Sequence, residues 1–151
     1  MNAPTLTQIC NAVKDVALLS EGVKKVYAPA EIKEGVNDTP QIQIYPESGE
    51  TDITSSNHSQ MTFRGNNRAD SLVVNIDCYA RQRSHVGEDF AALLPIIDAI
   101  ITVLKAQKNQ PYFELQGLQG FRWSWERVTF TYGDPEIRYV GARFVLTFTL
   151  F

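Results

Sequence analysis

Apolar residues in this chain recur at two spacings, and the switches between them mark out its elements. Over "TLTQICNAVKDVALLSEG", Leu6, Ile9, Cys10, Val13, Val16 and Ala17 return every three or four residues. That spacing predicts an amphipathic helix. Thr5 stands where an N-cap belongs, and Gly22 where the chain can leave the helix. The next stretch, "VKKVYAPAEIKEGVNDTP", is interrupted by Pro and Gly and reads as extended or looped chain. "QIQIYP" then alternates polar and apolar residues as a half-buried strand does, with Pro46 expected to end it.

"SLVVNIDCYA" alternates cleanly, with Leu72, Val74, Ile76 and Cys78 on one face and Asn75 and Asp77 on the other. "VGEDFAALLPIIDAIITVLKAQ" returns to the helical period. Ser84 is its expected cap, and Glu88 and Asp89 suit the positive end of the helix dipole. Phe90, Leu93, Leu94, Ile97, Ile101 and Leu104 form one apolar stripe, and Ile96, Ile100 and Val103 form a second beside it. A helix so widely apolar is expected to be buried on two sides, one by the sheet and one by a neighbouring subunit. Pro95 either kinks this helix or marks its first turns.

Two long β-rich stretches close the chain. "FRWSWERVTFTY" places Phe121, Trp123 and Trp125 on one face, then changes phase to Val128, Phe130 and Tyr132, which predicts a bulge near Glu126 and Arg127. "GDPE" makes a turn. "RYVGARFVLTFTLF" then carries Val140, Ala142, Phe144, Leu146, Phe148 and Leu150 on one face, opposite Tyr139, Arg143, Val145, Thr147 and Thr149. Fully extended, Ile137 to Phe151 would span about 50 Å at roughly 3.3 Å per residue. The strand is therefore expected to bend at Gly141 or to reach a subunit boundary at Tyr139, Arg143 or Phe151. The alternative is a central strand with Phe151 in the core.

Between the two halves, Glu47 to Asp70 is polar throughout: "ESGETDITSSNHSQMTFRGNNRAD". Its sizeable apolar residues are Ile53, Met61 and Phe63. A featureless loop of this length is unusual inside a compact domain. Three readings stay open: a mobile loop, an interface segment, or an extended hairpin tipped near "SSNHS". The order α, β, polar insertion, β, α, β, β predicts one α+β domain over residues 1–151, with a mostly antiparallel sheet and both helices on one face.

Composition narrows the function classes. The chain has 151 residues, 44% apolar and 21% charged, with a formal net charge of −3. Those values suit a globular domain and not a dedicated nucleic-acid or membrane binder. No apolar run approaches the roughly 18 residues of a membrane span. "MNAPTLTQIC" lacks the basic start and apolar core of a signal peptide, so a cytosolic product is expected. Cys10 and Cys78 fall on apolar faces and read as buried free thiols. His58 and His85 lie in polar segments without metal-ligand spacing. No nucleophile elbow or glycine-rich phosphate loop is present, and "RQRSH" and "VKKV" read as solvated charges. Neither a cofactor nor catalysis is expected.

The segments "VVNIDCYARQRSHVGEDFAALLPIIDAIITVL" and "RWSWERVTFTYGDPEIRYVGARFVLTFTLF" carry a resemblance. In order and size the chain resembles the tail terminator and tail-completion proteins of long-tailed bacteriophages. Those are small α+β proteins with an "IDCYAR"-like strand end, a helix and a closing hairpin. The Glu47 to Asp70 insertion and the Trp pair do not match the family.

The resemblance implies a structural virion protein of the tail or neck, assembled in the host cytoplasm without catalysis. It implies a homo-oligomeric ring, typically six-fold, that ends tube growth and meets the tail tube protein and the head connector. DNA would pass through without specific binding. On this reading Ile53, Met61, Phe63, Arg64 and Arg68 are candidate tube contacts, and Glu47, Glu50 and Asp52 candidate channel-facing residues. Ile96, Ile100, Val103, Tyr139, Arg143 and Phe151 are candidate subunit contacts. The alternatives are another neck protein (a stopper or adaptor), or a dimeric ligand-binding domain with Trp123, Trp125 and Tyr132 around a pocket.

Overall fold

The computed structural model describes residues 5–32, 39–53, 68–83, 86–106, 113, 119–132 and 137–150. Helix α1 spans Leu6–Ala17. Thr5 caps it, accepting from the Gln8 backbone N–H while the Gln8 side chain accepts from the Thr5 N–H. This reciprocal pair satisfies two donors that the helix start would otherwise leave unbonded. Ile9, Cys10, Ala12, Val13, Val16 and Ala17 are buried, while Leu6, at the first turn, is 53% exposed. Gly22 takes φ +82°, the left-handed conformation glycine adopts without cost.

The stretch read as loop contains a short strand, β1 (Lys25–Tyr27), and one turn of 3-10 helix at Pro29–Glu31. Glu31 holds that turn to α1 through an ion pair with Lys14 and accepts from the Ala28 N–H at 3.1 Å. The Lys14 hydrogen bond holds the Glu31 carboxyl below its ordinary pKa. Strand β2 (Gln41–Ile53) and strand β3 (Arg68–Gln82) follow, then helix α2 (Val86–Lys105), strand β4 (Gln119–Tyr132) and strand β5 (Ile137–Leu150). The five strands lie in the order β1-β2-β3-β5-β4, antiparallel except for β1 against β2. The fold class is α+β. The described part of the polar insertion is a hairpin stem, with Thr51 paired to Asp70 and Ile53 to Arg68. Residues 54–67, with Met61, Phe63, Arg64 and the proposed tip, lie outside the described residues.

Both helices cover one face of the sheet. Their apolar stripes join Ile42, Ile44, Leu72, Val74, Ile76, Cys78, Val140, Ala142, Phe144, Leu146 and Phe148 in one core. The start of α2 is tied to the end of β3: Arg81 and Arg83 approach the buried Asp89 carboxylate at 3.5 and 3.8 Å. The basic cluster read as solvated loop charge thus has a structural partner. Pro95 lies inside α2, not in its first turns.

Four expectations need correction. Pro46 does not end its strand. It pairs with Val74, and a bulge at Glu47 lets β2 continue along the sheet border, where a missing N–H is tolerated. β4 has no bulge at Glu126 and Arg127, because its register runs unbroken from Phe121↔Phe148 to Tyr132↔Ile137. The phase change arises because the two halves of β4 bury opposite faces. Ile96, Ile100 and Val103 are not subunit contacts: at 5, 1 and 8% exposure they belong to the chain's own core. The chain's own sheet and the neighbouring α1 cover the stripe that a neighbouring subunit was expected to cover. Finally, β5 is internal, with β3 on one side and β4 on the other, so Tyr139 and Arg143 lie within the sheet and at no free edge. Phe151 lies outside the described residues.

Candidate functional site

The sheet face away from the helices carries a cluster of polar and aromatic side chains. Alternation on β2, β3 and β5 sends Tyr45, Asn75, Asp77 and Arg143 to that face, and register sets them side by side: Tyr45↔Asn75↔Val145 and Gln43↔Asp77↔Arg143. Arg143 Nε donates to Asp77 Oδ1 at 2.8 Å and Nη2 to Oδ2 at 3.1 Å. Tyr45 Oη donates to Asp77 Oδ2 at 2.7 Å. Asn75 Nδ2 donates to Glu47 Oε2 at 3.3 Å and to Tyr45 Oη at 3.4 Å. Asp77 and Asn75 are only 4% and 3% exposed. The Asn75 side-chain oxygen is buried with no hydrogen-bond donor among the described residues.

Arg143 joins this polar half to an aromatic half. Its guanidinium lies 5.7 Å from the Phe130 ring centroid, within cation–π reach. Phe130 stacks on Tyr79 at 4.3 Å, and Tyr79 meets Tyr139 edge-on at 6.0 Å. Burial, then the nearby Asp77 charge, pushes the Tyr79 phenol up to about 12. Burial likewise raises Tyr45, and the Asp77 hydrogen bonds hold Arg143 firmly charged. Both Asp77 oxygens are engaged, so the carboxylate braces its neighbours and is poorly placed to take a proton from an incoming group.

The second candidate is the border of the sheet. β1 covers only residues 41–43 of β2, so among the described residues the outer edge of β2 from Ile44 to Ile53 has no strand beside it. β4 likewise has β5 as its only described neighbour along its 14 residues. On the helix side of β4, Trp125 is 44% exposed, and on α2 Leu94 is 58% exposed. Phe90 is also exposed, with Arg127 over its ring at 4.8 Å. A long edge with exposed apolar groups is a template for pairing with another chain.

Glu47 and Glu50 are exposed on β2, and Asp52, Ile53 and Arg68 stand on the hairpin stem. Trp123 and Trp125 pair with Leu146 and Phe144 on the helix side, whereas Tyr132 pairs with Ile137 on the other side. These three aromatic residues therefore cannot line one pocket. The sequence pattern missed the Tyr45–Asp77–Arg143 association. Its signal was polar residues at alternate positions of three strands, which converge only once register is known.

Among the described residues no group of three His, Cys, Asp or Glu could hold a metal ion, and no helix is long and apolar enough to cross a membrane. Cys10 and Cys78 are free and buried, and burial pushes the Cys78 thiol up to about 12. A scan against protein-family models finds no match, and a search of curated proteins finds no relative.

Proposed function

We propose that this chain is a structural subunit of a long-tailed bacteriophage, forming a ring that caps the tail tube, ends its polymerisation and joins it to the head connector. The reading starts from the sequence resemblance to tail terminator proteins. The observation that carries the reading is the pair of unlike sheet borders, acidic at β2 and aromatic and basic at β4. Two different borders on one subunit allow head-to-tail contacts, which close into a ring when the rotation fits. Residues 54–67 join the two arms of the hairpin stem at Thr51–Ile53 and Arg68–Asp70, and on this reading they are the segment that meets the tail tube. On this reading the acidic run Glu47, Glu50 and Asp52 belongs to the channel side, where carboxylates repel the phosphates of passing DNA. The alternative is another neck protein, a stopper or adaptor, and its binding partner would distinguish the two.

The test is electron microscopy of assembling tail tubes with and without the purified chain. Shortened tubes bearing a ring at one end are expected. Unchanged tube lengths with unoccupied ends would overturn the assignment.

A further inference from the structure

We infer that the two borders left open among the described residues fit one another: the lower half of β4 (Gln119–Trp125) in one copy pairs antiparallel with the outer edge of β2 in the next copy. The inference rests on the ring reading above. Three strand reversals separate β2 from β4, through β3 and β5, so the two borders run in opposite directions. A neighbour generated by rotation about an axis along the strands keeps that relation and offers an antiparallel partner.

The sheet's own register sets which residues meet. Arg122 stands opposite Thr147, Thr147 opposite Val73, and Val73 opposite Ser48. At zero stagger, therefore, Arg122 of one copy comes level with Ser48 of the next, between Glu47 and Glu50. All three charged side chains are exposed, and residues 44–53 contain Glu47, Glu50 and Asp52 but no basic residue. On β4 the acidic residue is Glu126, which stands directly across from Arg143 in its own sheet. Arg127 lies over Phe90, leaving Arg122 as the outward cation of the lower half. The two borders are thus complementary in charge at matching height.

Apolar surface agrees. Trp125 stands opposite Phe144, Phe144 opposite Ile76, and Ile76 opposite Ile44. The same register brings Trp125 of one copy to Ile44 of the next, where α1 covers β2. Leu6 at the start of α1 and Leu18 and Leu19 just past its end are exposed, as are Trp125 on β4 and Phe90 and Leu94 on α2. β1 occupies β2 at residues 41–43, so the contact is confined to Ile44 and the residues after it. A second copy of this chain supplies both complements at once, which favours it over an unrelated partner strand.

The experiment measures association of the whole chain by light scattering up to about 1 mM, where even millimolar affinity is visible. Wild type is compared with Arg122→Glu, Glu50→Arg and an equimolar mixture of the two, with circular dichroism and thermal midpoints confirming the fold. Each single reversal is expected to weaken association about fivefold to tenfold per contact. The mixture is expected to restore it, because alternating copies then match at both borders. Trp125→Ser should weaken association without rescue by mixing. Variants that assemble like wild type, an inert Glu50→Arg, a mixture that fails to recover, or a wild type still monomeric at that concentration would each overturn the inference. An inert Glu50→Arg beside a disruptive Arg122→Glu would indicate two-fold β4–β4 pairing. Mixing-dependent assembly without capping of tail tubes would leave the border contact standing and remove the tail reading. Capping by variants whose assembly ignores these charges would do the reverse.

Discussion

Among the described glycines, Gly141 is the one where an added methyl group meets the closest obstacles. Gly141 pairs with Tyr79 on β3 and with Val128 on β4, beside the register shift between Tyr79 and Arg81. A Cβ built there would lie 2.2 Å from the Cys78 carbonyl oxygen and 2.5 and 2.8 Å from two carbons of the Phe130 ring. Carbon and oxygen in contact need more than 3 Å. One backbone or the other must therefore move by about an ångström in the middle of the sheet. Overpacking of this kind costs about 1–3 kcal/mol, and each ladder hydrogen bond disturbed adds about 1 kcal/mol. The expected loss is about 3–5 kcal/mol, a large part of the 5–15 kcal/mol that ordinarily holds a domain folded. At about 2–4 °C per kcal/mol, the thermal midpoint should fall by about 10 °C.

Urea unfolding followed by tryptophan fluorescence reads this directly, because Trp123 and Trp125 lie on the strand paired with β5. Phe130→Ala separates the two obstacles. Were the ring the only one, adding Gly141→Ala to Phe130→Ala would cost nothing further. The carbonyl is nearer than the ring and is fixed by the ladder, so the double variant should remain at least about 2 kcal/mol below Phe130→Ala. A Gly141→Ala loss under about 1 kcal/mol, or full relief by Phe130→Ala, would refute the reasoning.

Two further outcomes follow from the buried groups. Arg143→Leu should cost about 3–5 kcal/mol because it strands the Asp77 carboxylate, 5% exposed, without its cation, whereas Asp77→Leu should cost about 1–3 kcal/mol because Arg143, 32% exposed, can reach water. Equal losses in denaturant titrations of the two variants would contradict this asymmetry. Stability should be level through neutral pH and decline above about pH 8.5, where an unfolded thiol deprotonates while buried Cys78 holds its proton to about 12. The raised folded value gives the sign: the unfolded chain releases its protons first, so rising pH favours unfolding by up to about 1.4 kcal/mol per pH unit for a fully buried group. Cys10 is raised in the same direction, and the Cys10→Ala/Cys78→Ala variant should postpone the decline to about pH 10, where tyrosines titrate. An unchanged alkaline profile in that variant would sink the assignment to thiols.

How much of this was legible in the sequence depended on whether burial had one cause or two. α1 and the apolar faces of β3 and β5 could be read from periodicity because a single helix layer buries them, and Val74, Ile76, Phe144 and Leu146 are all in the core. β4 misled because Trp123 packs toward the helices while Phe130 packs toward Tyr79, so one strand carries two apolar phases without a bulge. α2 misled in the opposite way. Its second stripe meets the rest of the chain's own core, and its exposed apolar positions are Phe90 and Leu94 on the first stripe. β1 was invisible because a three-residue parallel strand has no period to show. The Asp77–Arg143 pair spans 66 residues of sequence, and only the strand order places one beside the other.

That pair also bears on the direction in which the molecule can associate. A sheet with helices on one side usually leaves its other face for a second layer. Here Asp77 and Asn75 are already nearly excluded from water, covered by Tyr45, Glu47 and Arg143 of neighbouring strands. A partner stacked on this face would have to desolvate Arg143 and Glu47 further, and losing water around charged groups that keep their present partners brings little return. Growth at the borders also takes water from Glu47 and Glu50, but it gives these charges a new partner in Arg122 of the next copy. Each new strand satisfies backbone groups that water now satisfies and covers Trp125 at the same time. The sheet's chemistry therefore favours extension sideways, strand against strand, over stacking face to face. Sideways extension by identical subunits of unlike borders leads to rings or filaments, and the rotation per subunit decides between them.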